Sequence, residues 1–521
     1  MKLFHQLIAT VGLGCFCTSF DAHAAGLYQE PWRPQFHFTP DTNWMNDPNG
    51  MVFYDGEYHL FYQFNPFGDK WGHMSWGHAV SRDLVRWEHL PVALYEKNDV
   101  MIFSGSAVVD WKNTSGFGRD GKPPMVAIYT GHYTKKPLQN QHIAFSNDRG
   151  RTWTKFAGNP VLDLGEKDFR DPKVMWHEPT KRWVMTVSWP AHRKVRLYSS
   201  PNLKDWTHLS DFGPAGSTKG IWECPDLFRV PIERDASVNP NSNIVNPQWV
   251  LIVNVGSGAP AGGSGCQYFV GDFDGKVFTP ARATNEPALW ADWGPDFYAA
   301  VSWSDIPKRD GRRLWLGWMS NWEYANDVPT SPWRSAMSLP RELTLRTAAD
   351  GWRLVQRPVK ELKTLRGKRA QFALKSTTGQ ADLSKLGVAT ADLFELEADL
   401  QPSADAVFAL KLRTGAGEET VLRVDVPNRE LTLDRTRSGK VDFHGRFAGS
   451  YRAPVRLIDG RLKLRLFVDT SSVEVFVNDG ETVQTSLLLP SADARHLELE
   501  VAHGTLQRAN FNVWQLKSAW H

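Results

Sequence analysis

Three acidic residues of the 521-residue chain stand in settings suited to proton transfer and to stabilising positive charge. Asp47 lies in Trp44-Met45-Asn46-Asp47-Pro48-Asn49-Gly50, where three turn formers follow the acid. They are expected to set a sharp bend that presents the carboxylate instead of burying it in a strand. Asp171 stands between Arg170 and Pro172, so the guanidinium is expected to hold and orient its neighbour as the anion. Glu223 stands between Trp222 and Cys224-Pro225, an apolar setting that suits a general acid. Cleavage of a glycosidic bond needs these two kinds of carboxyl, one ionised to meet the sugar carbon and one protonated to serve the leaving oxygen.

The chain carries 23 Trp, 28 Phe and 12 Tyr, and indole faces stack well on the apolar faces of sugar rings. Trp71, Trp318 and Trp322 are the candidates for such contact, because glycine or polar residues surround them. The other tryptophans are expected to pack between strands. Lys plus Arg is 60 against Asp plus Glu 57, so no field favours nucleic acid, an anionic membrane or an acidic polymer. No Cys or His cluster has metal-ligand spacing, the glycines of Gly256–Gly265 lack the Lys-Ser/Thr of a phosphate loop, and no Gly-x-Ser-x-Gly occurs. No cofactor or metal is expected.

The elements that must position these residues are short strands, since 41 Gly and 32 Pro punctuate the chain. One turn recurs. Ser81-Arg82-Asp83 leads to Trp87, Ser146-Asn147-Asp148 to Trp153, and Ser200-Pro201-Asn202 to Trp206. The spacing of about 60 residues suggests the repeated four-stranded sheets of a β-propeller, with room for about five before residue 350. A large β-sandwich is the competing reading of this region. Trp is then absent from Trp352 to Trp514, and plain alternation takes over, as in Phe394-Glu395-Leu396-Glu397-Ala398-Asp399-Leu400. Period two with one charged face marks antiparallel strands of a second, smaller β-domain. Val473, Val475 and Val477 lead into the hairpin turn Asn478-Asp479-Gly480. The expected layout is all-β: a propeller over 25–350, then a linker and a β-sandwich over 351–521, with Val359 to Leu365 as linker or short helix.

Residues 1–24 read as an export signal: Lys2, an apolar stretch from Leu7 to Phe20, and the small-x-small site Ala22-His23-Ala24. A secreted product, extracellular or periplasmic, is expected. Cys15 and Cys17 would leave with it, and sequence does not decide whether Cys224 and Cys266 are bridged.

In chain order, Trp44–Gly50, Phe61–Pro66, Trp76-Gly77-His78, Phe103-Ser104-Gly105-Ser106, Arg170-Asp171-Pro172, Trp222-Glu223-Cys224-Pro225 and Asp296-Phe297-Tyr298 resemble the motifs of glycoside hydrolase family 32, which contains invertases, inulinases and levanases. Val468–Gly480 resembles the family's carboxy-terminal sandwich. The resemblance implies a five-bladed β-propeller followed by a C-terminal β-sandwich. It implies Asp47 as the nucleophile of a covalent fructosyl-enzyme, Glu223 as general acid and then base, and Asp171 as the group that holds fructose hydroxyls and stabilises the oxocarbenium-like transition state. Retention follows, with the two reacting carboxyls about 5–5.5 Å apart. Asn46, Gln63, Trp71, Ser104, Arg170, Tyr298 and Trp318 are implied to line the pocket for the terminal fructose, and Cys224 to tune the acid.

Trp318–Asp327 and Pro329–Arg334 are similar to exo-acting microbial levanases and inulinases. The expected activity is therefore hydrolysis of terminal β-fructosyl residues of a fructan, levan first, with inulin and sucrose as further substrates. Fructosyl transfer and a sucrose-directed invertase are the alternatives within catalysis. A non-catalytic fructan-binding protein is the alternative of another class, and intact Asp47, Asp171 and Glu223 argue against it.

Overall fold

A computed structural model describes residues 26–233, 247–348, 351–383 and 392–520. The expected export signal lies outside them. The first part is a five-bladed propeller, the four main strands of each blade forming an antiparallel sheet from one continuous stretch of chain. The inner strands of blades I to V are Asn43–Tyr54, Val100–Val109, Arg170–His177, Trp222–Val230 and Tyr298–Ser302. They run side by side around the axis, blade V returning to blade I. The ring closes where Asn43 and Trp44 pair in parallel with Trp333 and Arg334, and where Ser304 N–H donates to Met51 O and Phe53 N–H to Ser304 O, both at 2.9 Å.

The recurring turn joins the third strand to the outer strand in blades I, II and III. Its polar residue caps the turn: Asp83 Oδ1 accepts the backbone N–H of Val85 and Arg86, and Asn202 Oδ1 accepts those of Lys204 and Asp205. The tryptophan then locks it, Trp153 Nε1 donating to Gly150 O at 2.9 Å and Trp206 Nε1 to Leu203 O at 3.1 Å. Blade IV has a fourth copy that the tryptophan spacing missed. There Asp274 Oδ1 accepts Lys276 and Val277 N–H, and Phe278 takes the aromatic place.

The outer strand of blade V is Gly351–Pro358, so the last blade reaches past the expected limit at residue 350. A short 3-10 turn, Lys360–Leu365, then leads into a folded-over sheet of ten strands. Its strand His496–Leu516 serves both layers, pairing with Val407–Thr414 up to His503 and with Phe394–Pro402 beyond Leu506. Gly504, at φ +67°, sits at the corner between them. Between the layers the alternating residues Leu396, Leu400, Leu464, Leu466, Val473 and Val475 meet in one apolar core.

Buried charges join the two domains. Arg435 of the sandwich donates to Asp296 Oδ2 of the propeller at 2.6 Å, and Arg341 of the propeller donates to Glu474 Oε2 of the sandwich at 2.7 Å. His37 lies between Asp469 and Glu474, at 2.7 and 3.1 Å. Burial alone would lower its pKa, but the two carboxylates push it up to about 9.

Candidate active site

Every inner strand is broken near its start by a β-bulge. Register shifts fall between Met45 and Pro48, Ile102 and Gly105, Glu223 and Asp226, and Tyr298 and Val301. In blade III the shift lies opposite Thr186 and Ser188. Asp171, Cys224 and Ala299 hold φ of +66°, +43° and +53° at these points, where a non-glycine residue is normally strained. A bulge re-aims a side chain out of the strict alternation. Here the bulges turn Asp47, Ser104, Asp171, Glu223 and Tyr298, one from each blade, toward the axis at the same end.

Asp47 sits within its strand and is 8 % exposed. The turn formers after it do not make an open bend, as expected above. They make two bulges, which seat the carboxylate in the axial hollow. Ser104 Oγ donates to its Oδ2 at 2.6 Å and Asn46 Nδ2 to its Oδ1 at 2.9 Å, while Trp44 Nε1 fixes Asn46 Oδ1 at 2.7 Å. Cys224 Sγ approaches Asp47 Oδ2 at 3.4 Å. Burial raises the Asp47 pKa against these hydrogen bonds, which favour the anion.

Arg170 does not pair with Asp171. Its Nε donates to Glu223 Oε1 at 2.9 Å and its Nη1 to Asp168 Oδ1 at 3.0 Å and Gln139 Oε1 at 3.1 Å. The bulge at this point leaves Arg170 reaching across to blade IV, so adjacency in sequence was the wrong guide. Asp171 instead accepts Cys224 N–H on Oδ2 at 2.9 Å, while its own N–H is held by Thr130 Oγ1 at 3.0 Å. Burial pushes Asp171 up to about 7, the nearby Arg170 charge opposing and Glu223 and Asp47 adding to the rise.

The surroundings of Glu223 are also more polar than its sequence neighbours suggested. Trp222 turns away to pack on Phe212 and Phe269, and the carboxyl receives Arg170 on one oxygen and the Tyr298 hydroxyl on the other. Burial raises the Tyr298 pKa well above its ordinary value, so the hydroxyl stays a donor. Cys224 is buried and free, as is Cys266, so no bridge joins them. Burial raises the Cys224 thiol too, keeping it protonated between two carboxylates.

The other expected pocket residues take two kinds of place. Trp71 stands at the rim, 41 % exposed, its backbone N–H held by Asn326 Oδ1 at 3.0 Å and its ring edge-on to Phe103. Trp318 is fully buried among Trp44, Tyr298 and Trp322, so it supports the wall instead of offering an open face. Gln63 is buried and donates to Ile102 O at 3.0 Å, fastening blade I to the inner strand of blade II.

Sequence reading missed a row of amides and hydroxyls behind the acids. Gln139 braces Arg170, and Gln141 braces Thr130, which holds the Asp171 backbone. Asn254 Nδ2 donates to Cys224 O at 3.0 Å and its Oδ1 accepts Ala300 N–H, joining two bulges. Their residue types in unremarkable strands carried no signal.

Comparison with known proteins places this geometry. The glycosyl hydrolases family 32 N-terminal domain matches residues 37–358, and the family 32 C-terminal domain matches residues 361–515. A levanase of Bacillus subtilis (strain 168) is 53 % identical over 524 residues, covering 100 % of this chain and 75 % of the levanase. An extracellular exo-inulinase of Aspergillus awamori is 41 % identical over 528 residues, covering 95 % and 96 %. The crystal structure of exo-inulinase from Aspergillus awamori superposes with a TM-score of 0.89 at 40 % identity, covering 95 % of this chain and 100 % of that one. A β-fructofuranosidase from Schwanniomyces occidentalis complexed with fructosyl-erythritol gives 0.83 at 32 % identity, covering 94 % and 99 %.

Proposed function

The chain belongs to glycosyl hydrolase family 32, and from that premise we propose an exported, retaining exo-β-fructosidase that releases fructose from the non-reducing ends of fructans. The observation that carries this reading is the burial of Asp47 and Asp171, 8 % and 6 % exposed, at the axial hollow's inner end. A chain terminus reaches them; the middle of a polymer does not. The relatives support the substrate class, since those at 53 % and 41 % identity are a levanase and an extracellular exo-inulinase. The second of these and the signal-like start of the chain support export.

Asp47 is assigned as nucleophile. Its oxygen attacks the anomeric carbon of the terminal fructose while Glu223 gives a proton to the departing glycosidic oxygen. Glu223 then takes a proton from water, which attacks the same carbon and frees Asp47, so the configuration is retained. Ser104 and Asn46 aim the nucleophile; Arg170 and Tyr298 aim the acid. Asp171, braced by the Cys224 and Thr130 contacts, faces the same space from a third blade and is assigned to the fructose hydroxyls and the positive charge that develops on the ring.

The test is product analysis of the purified protein on levan, inulin and sucrose. Free β-fructose as the first product is expected, with little transfer at high sucrose. Oligosaccharides released by internal cuts, or inversion at the anomeric carbon, would overturn the assignment.

A further inference from the structure

The far end of the propeller axis carries a second cavity, of about 580 Å³, formed by the later residues of the same inner strands. At about 3.3 Å per residue, the path from Ser104 to Trp111 or from Glu223 to Arg229 puts its outer rim roughly 20 Å from the carboxyls of the axial site. A volume of this order suits a small ligand. Trp111 lines it and is 60 % exposed. Its indole nitrogen donates to Asp305 Oδ1 at 2.8 Å and its ring meets Tyr54 edge-on at 5.7 Å. An exposed indole tied down in this way is a fixed plate with an open face. Trp176 and Trp249, partly exposed, line the same cavity.

The floor is polar. Asp226 Oδ2 accepts Ser302 N–H and Oγ–H at 2.7 and 2.8 Å and lies 3.4 Å from Lys173 Nζ. Its other oxygen, Oδ1, is buried and has no hydrogen-bond partner in the protein. A buried carboxylate oxygen without a donor is costly, so this position calls for one from outside. The charges around it restrict what can bring that donor. Lys173 and Arg313 line the cavity and oppose a cation; Asp226 and Asp305 oppose an anion. Burial lifts Asp305 to about 6, which leaves it ionised at neutral pH. A neutral ligand with hydroxyl donors and an apolar face satisfies all of these groups together.

We propose that this cavity is a second binding site for a neutral oligosaccharide, a segment of the fructan chain, which stacks on Trp111 and supplies a hydroxyl toward Asp226. The choice of fructan rests on the function proposed above, whereas the neutral-sugar chemistry rests on the cavity alone. Such a site would keep the enzyme on a polymer while ends are cut at the opposite face.

The full chain carrying Glu223→Gln, which abolishes turnover, is run in native gels containing levan, inulin or dextran. Levan or inulin should retard it, and adding Trp111→Ala should weaken the retardation about fivefold. In the active enzyme, Trp111→Ala should raise KM for levan by a similar factor and leave kcat/KM for sucrose unchanged. No retardation, or retardation indifferent to Trp111→Ala, overturns the proposal, as does an equal loss on sucrose. Dextran retarding as strongly as the fructans overturns the assignment of the ligand. Absence of fructose release by the active enzyme defeats the proposed function instead, and Trp111-dependent retention would survive it.

Discussion

The buried carboxyls at the domain junction and those at the propeller axis differ in their partners. At the domain junction Asp296 and Glu474 each meet a fully buried arginine, Arg435 and Arg341, and the remaining lone pairs are filled by Tyr324, Leu487 and Leu339 donors. Glu474 is held below its ordinary pKa because Arg341 and His37 outweigh its burial. At the propeller axis, Asp47 has only neutral donors, Asp171 has a backbone N–H, and the one arginine leans on Glu223. There burial wins, and both aspartates rise. For Glu474 matched charges thus outweigh burial, whereas for Asp47 and Asp171 burial prevails, and on the function proposed above theirs is the reactive site. On that proposed function, a substrate's developing positive charge supplies the missing partner at the axis.

Exchanging one carboxylate in each cluster should separate these roles most sharply. Asp47→Asn is expected to cut kcat by about 10⁴-fold or more while the melting temperature holds or rises. Asp296→Asn should do the opposite, lowering the melting temperature and leaving the folded fraction's kcat/KM within a small factor. Equal losses of activity in the two would break the distinction. Next in size, Arg435→Met leaves Asp296 buried without its cation and should cost about 3–5 kcal/mol in denaturant unfolding. No change there would mean that the junction charges contribute nothing.

The clusters should also differ in pH dependence. A carboxyl raised from 3.8 to about 7 favours the fold fully below the lower value, and that contribution is lost as pH climbs through the higher one. Stability should thus fall between about pH 4 and 7 from the axis, and Asp171→Asn should remove that limb. His37, raised from 6.5 to about 9, has the same sign and should give a second descending limb across that interval, absent in His37→Gln. Melting temperatures of the three proteins from pH 4 to 10 would check both. The smallest effect expected is that of Ser104→Ala, which deletes one donor to Asp47. About a tenfold fall in kcat, with an unchanged melting temperature, is the predicted result.

Much of the architecture was legible from residue patterns. Alternation in Phe394–Leu400 and Leu462–Leu466 led to the sandwich core, because period two has one structural meaning when one face is charged. The turn Ser-x-Asp or Ser-x-Asn leading to Trp marked three blades, and failed in the fourth because Asp272 stands in place of the serine and Phe278 in place of the indole. The acids were legible through their motifs. Their environments were not. Arg170 was assigned to its chain neighbour and meets Glu223, which stands 53 residues away. Trp222 and Cys224 suggested an apolar acid, and Tyr298 and Arg170 made it a polar one.

The sequence by itself determined the all-β pattern, the repeated blades and the two domains, and it singled out three acids, since each is written in local residue types. Tertiary structure alone decided which partner each acid meets. Bulges in all five inner strands turn side chains from five distant segments onto one axis, and bulge position depends on how neighbouring strands register. Whether a buried carboxylate is silenced or left reactive is set by those long-range neighbours, because in a dry interior the nearest charge, not the nearest residue in the chain, governs its energy.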